Sequence, residues 1–182
     1  LYLPLFRQLG RVTVNGIFEF IPGALMFSDE VPGAPGEQWY ALTPHLEQLL
    51  GGRRHRDEEF EQRHFDVAAS LQAFVEECGV EMAKYLKRTY PHVDKICIAG
   101  GVGLNGLMSS RILKESGFSS VYIQPASSDD GTAIGAALSV VASKSENPKF
   151  NRLQNMFLGL ERSEQEMQQA LAPNGLSSME AK

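Results

Sequence analysis

Residues 95–140, KICIAGGVGLNGLMSSRILKESGFSSVYIQPASSDDGTAIGAALSV, read as strand, glycine turn, helix, second strand, acidic-glycine turn and second helix. Residues 95–99 and 121–124 are short and apolar, as strands of a buried parallel sheet should be. This β-α-β-α order sets the fold class as α/β. Ligands of open α/β sheets sit beyond the carboxyl ends of the strands, where both turns lie.

The first turn is Ala99-Gly100-Gly101-Val102-Gly103-Leu104-Asn105. Residues without a Cβ let the backbone approach a nucleotide closely, and N–H groups at a helix start favour anions. The turn is neither a P-loop nor a full dinucleotide fingerprint, and a plain tight β-α connection is its other reading. Asn105, expected on the first helical turn, has an amide that could reach a ribose or base; helix capping is the alternative. The second turn, from Gln124 to Ala133, puts Asp129 and Asp130 at the start of a helix. One acid could serve as a cap. A cap does not need two adjacent acids, which leaves the other for a metal ion or a hydroxyl proton.

Working outward, residues 58–88 carry Phe60, His64, Val67, Ala68, Leu71, Val75, Cys78, Met82 and Leu86 at helical spacing, a core-facing stripe with His64 in or beside the core. Before it, Thr43-Pro44-His45 opens a short helix through Leu50, closed by Gly51-Gly52. Residues 11–20, RVTVNGIFEF, predict a hairpin with a type I′ turn at Asn15-Gly16. Residues 21–38, rich in Pro and Gly, read as a loop. The tail from Ser143 is polar, broken at Asn147-Pro148, with a short helix at residues 163–171. The expected architecture is a mixed sheet with helices packed on it.

Composition narrows the classes. The 182 residues are 43% hydrophobic, enough for a real core, and the formal charge is −5, which disfavours nucleic acid as a partner. The cluster Arg53, Arg54, His55, Arg56 meets Asp57, Glu58 and Glu59 at once, as a solvated loop would. Cys78 and Cys97 are too few for a disulfide framework and are expected as reduced core residues. No apolar run approaches the ~20 residues that cross a bilayer. The expected setting is a reducing cytoplasm, with neither a secretory leader nor a membrane partner. A chain that starts at Leu1 without methionine is expected to be a piece of something longer.

Together the motifs resemble the NodU/CmcH-type carbamoyltransferase family. GGVGLN (100–105) is similar to its GGVALN, and QPASSDDGTAIGAAL (124–138) to its QPA-x-x-D-x-G-x-A-x-GAAL run. EQRHFDVAASLQAFVEE (61–77) is similar to its RH-x-D-x-AAS-x-Q segment, VTVNGIFEF (12–20) to its hairpin, and MFLGLERSEQEMQQAL (156–171) to the segment that follows the domain.

The resemblance implies an actin/hexokinase/Hsp70-like (RNase H-like) ATPase lobe. Residues 1–143 would be the second lobe, and residues 144–182 an extension toward a YrdC-like domain. It implies carbamoyl phosphate and ATP as substrates, carbamoyl-adenylate as intermediate, and a hydroxyl of a small molecule as acceptor. The acceptor's pocket would draw on loops such as residues 21–38. Gly100, Gly101, Gly103 and Asn105 would line the nucleotide, and Asp129 would be the catalytic metal ligand, iron being the implied metal. Asp130 falls at a variable position and ranks lower. Gly103 stands where the family usually has Ala, which would loosen the turn. The family's HxxxH ligands are absent, since His45, His55, His64 and His92 lack that spacing. The chain by itself is therefore expected to hold half of each site, to be inactive, and to dimerise through an open face. The other readings are a tRNA threonylcarbamoyl transferase-like lobe, a sugar kinase-like lobe, and a non-catalytic interaction module.

Overall fold

The computed structural model describes residues 1–23, 25–31, 34–150, 155–156 and 159–174; for residues 25–31, 34–42 and 174 the description is of the backbone. The chain divides into two units, Leu1–Ala136 and Ala137–Lys182.

The first unit is organised by one long helix. It is preceded by a one-turn helix α1 (Leu3–Phe6), strands β1 (Gly10–Val12), β2 (Phe18–Phe20), β3 (Leu25–Val31) and β4 (Ala34–Leu42), and helix α2 (Pro44–Leu49). Thr43 Oγ1 caps α2 by accepting from Leu46 N–H, Pro44 sits in its first turn, and Gly51 and Gly52 end it at positive φ, as the sequence predicts. The long helix α3 (Gln62–Thr89) starts four residues later than expected. Glu61 is its cap, and the Glu61 backbone N–H donates to His64 Nδ1 at 2.8 Å. Phe60 therefore lies outside the helix.

Two apolar clusters cover α3. In one, Phe74 meets Phe6 and Phe18, with ring centroids 6.4 and 6.2 Å apart, beside Leu46 and Leu50. In the other, Val80 and Ala83 pack with Met108, Ile112 and Phe118 under Ile96, Ile98 and Val121. Met108 and Ile112 belong to α4 (Gly106–Glu115). A Cβ at Gly79 would lie 2.7 Å from Met108 Cγ, so this glycine sets how closely α3 and α4 approach. The residues buried on α3 are Ser70, Phe74, Val80 and Ala83. The predicted stripe instead flanks them: Leu71, Val75, Cys78, Met82 and Leu86 line an apolar cleft of about 610 Å³ that also touches Phe18, Phe20 and β5 (Lys95–Ile98).

The expected single mixed sheet is not formed among the described residues. Three two-stranded sheets stand in its place: β1–β2 and β3–β4 antiparallel, and β5 with β6 (Ser120–Ile123) parallel. With one face packed and the other open, β5 and β6 alternate between exposed and half-buried residues rather than being buried throughout. Cys97, expected in the core, is exposed for that reason, while Cys78 is half-buried and burial raises its thiol pKa.

Two further expectations are corrected. In the β1–β2 hairpin only Gly16 has positive φ (70°), and Thr13 N–H donates to Ile17 O at 2.8 Å around a five-residue connection, so the turn is not type I′. The segment read as a loop, residues 21–38, holds β3 and the start of β4. Pro35-Gly36 lies inside β4, and residues 25–31, LMFSDEV, are long enough to form a strand. Ala24, Pro32 and Gly33 of that segment lie outside the described residues.

Helix α5 (Asp130–Ser143) follows β6. In the second unit, α6 (Glu164–Leu171) is opened by Ser163 through a capping box: Ser163 Oγ accepts from Glu166 N–H at 3.2 Å, and Ser163 N–H donates to Glu166 Oε2 at 2.8 Å. This agrees with the predicted helix, while Phe157 and Leu158 of the motif before it lie outside the described residues. Among the described residues no helix is long and apolar enough to cross a membrane.

Candidate functional site

The register Lys95↔Ser120 through Ile98↔Ile123 places the carboxyl ends of β5 and β6 side by side. Both predicted turns leave from those ends, and they are joined. Gly100 N–H donates to Ser127 O at 2.7 Å, and Ser127 Oγ donates to Gly100 O at 3.1 Å. Gln124 N–H reaches Ile98 O at 3.4 Å just below.

Gly100 has φ 103° and ψ 156°, a conformation reserved for glycine, and nothing would meet a Cβ there. The chain then makes a 3₁₀ turn, Gly101–Leu104, before α4, a turn more than the sequence predicts. Gly100 and Gly101 are exposed, and Gly103 is buried. A Cβ on Gly103 would lie 2.8 Å from Ser127 Oγ and 3.2 Å from Ile98 Cγ2. The glycine therefore tightens the junction instead of loosening it.

Asn105 is the N-cap of α4, not a residue of its first turn: Oδ1 accepts from Met108 N–H at 3.1 Å. Its amide also pairs with Gln72 of α3, Nδ2 to Oε1 at 2.9 Å and Gln72 Nε2 to Oδ1 at 3.0 Å. In the second turn, Thr132 N–H donates to Asp129 O at 3.0 Å. The Asp129 and Asp130 carboxylates are both exposed, with no hydrogen-bond or ion-pair partner among the described residues.

These carboxylates are hard oxygen donors, but no group of three or more His, Cys, Asp or Glu able to hold a metal occurs among the described residues. His45, His55 and His92 are exposed, and half-buried His64 is engaged at Nδ1 by the α3 cap. The residues present do not make a complete metal site. Within the basic cluster, Arg54 is held by its own loop: Nη1 donates to His55 O at 3.0 Å and Arg56 O at 3.3 Å, and its guanidinium lies 4.2 Å from the Phe60 ring centre, while Arg53 Nε pairs with Glu47 Oε1 of α2 at 3.5 Å.

Neither Gln72 nor Ser127 is among the sequence-predicted site residues. Both lie within quoted motifs, but no local pattern shows that one grips Asn105 or that the other bridges the turns.

The profile described as "Carbamoyltransferase N-terminus" matches residues 41–138, more than half of the chain and both turns with it. The chain belongs to the carbamoyltransferase family. That is a family of transferase enzymes. Among its relatives, the nodulation protein NolNO of Sinorhizobium fredii is 29% identical over 175 residues, 87% of this chain and 25% of that protein. The nodulation protein NolO of Bradyrhizobium diazoefficiens is 31% identical over 106 residues, 58% of this chain and 19% of that protein. The 3'-hydroxymethylcephem-O-carbamoyltransferase of Streptomyces clavuligerus is 30% identical over 101 residues, 56% of this chain and 19% of that protein. The chain thus spans a quarter or less of these carbamoyltransferase-family relatives.

Proposed function

We propose that this chain is the second actin-like lobe of an O-carbamoyltransferase. The glycine turn (Gly100, Gly101, Gly103, Asn105) receives the nucleotide part of carbamoyl-adenylate, which is made from carbamoyl phosphate and ATP. The acidic turn faces the hydroxyl of a small-molecule acceptor. The observation that carries the reading is the joined pair of turns at the ends of parallel strands, one glycine-lined and one bearing two exposed carboxylates. Family membership supports carbamoyl transfer as the reaction class.

In the transfer, the acceptor oxygen attacks the carbamoyl carbon, a C–O bond forms, and the bond to the adenylate phosphate oxygen breaks with AMP leaving. The hydroxyl proton must go to a base, and this reading gives that role to the exposed Asp129 carboxylate. The alternative role for Asp129 is as one ligand of a divalent metal, iron by the family resemblance; the described residues do not complete that ligand set.

The test is carbamoyl transfer in the full-length protein supplied with carbamoyl phosphate, ATP and candidate hydroxyl acceptors. Asp129→Ala is expected to lower kcat by about 10²–10⁴, the usual worth of a positioned acid or base. Retained transfer in that variant would sink the assignment. Phosphorylation of a sugar without carbamoyl phosphate would favour a kinase-like lobe instead.

A second reading, a docking module without chemistry of its own, is favoured by the open apolar cleft along α3. It predicts binding of a partner that is indifferent to nucleotide and to Asp129→Ala.

A further inference from the structure

The amide pair of Asn105 and Gln72 has its direction fixed from both ends. Asn105 Oδ1 accepts from the Met108 backbone N–H at 3.1 Å, a group that can only donate, so Nδ2 is the atom left to face the Gln72 oxygen. At the other end, Gln72 Nε2 donates to Glu76 Oε1 at 2.9 Å, a carboxylate oxygen that accepts here while its other oxygen faces Arg111. The pair then closes through the bonds of 2.9 and 3.0 Å between the two amides. Glu76 is held in turn by Arg111 Nη1 at 3.3 Å, and Arg111 by Glu115 at 2.7 and 3.1 Å. Turning either amide over would set donor against donor or acceptor against acceptor.

The remaining capacity can be counted. Asn105 Oδ1 already accepts from two donors, and one of the two Nδ2 hydrogens goes to Gln72. One Asn105 amide N–H has no partner among the described residues. We propose that Gln72 is a positioning residue that commits Asn105 to donating, so that the glycine turn selects a ligand presenting an acceptor oxygen, a ribose or phosphate oxygen of a nucleotide. This rests on the turn being the nucleotide site, and it replaces recognition by either face of the amide with recognition by a single N–H.

The experiment is calorimetric titration of the full-length protein with ATP. Gln72→Met, which keeps length and removes both polar atoms, is expected to weaken ATP binding about five- to tenfold. Asn105→Ser, which keeps a good helix cap but removes the amide, is expected to weaken it by a similar factor. The double variant weakens it no further than either alone, a coupling that a merely structural role for Gln72 would not produce. Thermal melting establishes that each variant is folded. Should Gln72→Met fail to fold, Gln72→Ala, which removes the amide and keeps a strong helix former, is expected to weaken binding by a similar factor. Binding by a folded Gln72 variant within about twofold of the parent, or additive losses in the double variant, would overturn the proposal. Gly101→Trp, which places a large side chain on the exposed glycine turn, tests the underlying reading. If it abolishes ATP binding while Gln72→Met is silent, the turn holds nucleotide and the positioning role falls. If both are silent, both fall.

Discussion

Gly103 shows how one missing methyl can fix a junction between two turns. The hydroxyl of Ser127 occupies the space a Cβ would need, and it is there because it donates to Gly100 O. Gly103→Ala must therefore displace that hydroxyl and break its bond, at a cost of about 1 kcal/mol. Ser127→Ala leaves only its own Cβ, 3.7 Å from the position of the added methyl. The expected outcome is that Gly103→Ala lowers the urea midpoint in the parent and lowers it less in Ser127→Ala, where only the 3.2 Å approach to Ile98 Cγ2 remains tight, read from a four-member set of denaturation curves. None of this is legible in the sequence. There the substitution of Gly for the family's Ala suggests a looser turn, because the atom that fills the gap lies 24 residues further on. Asn105 teaches the same lesson. Its capping role can be read locally, but its amide partner sits 33 residues away on another helix.

At the scale of elements, what was legible is what chain-local chemistry fixes. Thr43, Pro44 and the Gly51-Gly52 pair bound α2, the Ser163–Glu166 spacing opens α6, and the helical period of residues 62–89 makes α3. What failed depends on neighbours. The α3 stripe is sound as periodicity, but which members are buried depends on how much of the helix the small sheets cover. Residues 21–38 depart from the loop reading because β4 accommodates Pro35-Gly36, and its pairing with β3 is announced by no local pattern.

The tie between α1 and α3 carries a pH signature. Arg7 grips Glu77 with two hydrogen bonds, Nε to Oε2 at 3.0 Å and Nη2 to Oε1 at 2.7 Å. Those bonds hold the Glu77 carboxyl below its ordinary range, against the opposing effect of partial burial. A carboxyl depressed in the folded state stabilises the fold above its unfolded value, about 4.3, and loses that contribution as pH falls through the folded value. Wild type is expected to be more stable than Glu77→Gln at neutral pH. The gap between their urea midpoints should narrow steadily below about pH 4. A gap that held constant down to pH 3 would show that the ion pair adds nothing through titration.

The first unit, taken whole, has an incompletely covered interior. The cleft along α3 is lined by Leu71, Phe74, Met82, Leu86 and the strand β5, and it is open to solvent. A surface of that kind is expected to bind an environment-sensitive apolar dye when the 182-residue chain is expressed by itself. Leu71→Lys with Met82→Lys should suppress the fluorescence gain without altering the far-ultraviolet spectrum, since both side chains are already substantially exposed. Unchanged fluorescence in the double variant would place the dye elsewhere.

The bonds between Gly100 and Ser127 have a consequence for how the site can be watched. The amide proton of Gly100 belongs to the glycine turn, yet the oxygen that holds it belongs to the acidic turn. Its exchange with deuterated water clocks the opening of the seam between the two, whichever side a molecule arrives from. A single backbone resonance could thus sense an arrival at Asp129 without any label placed there.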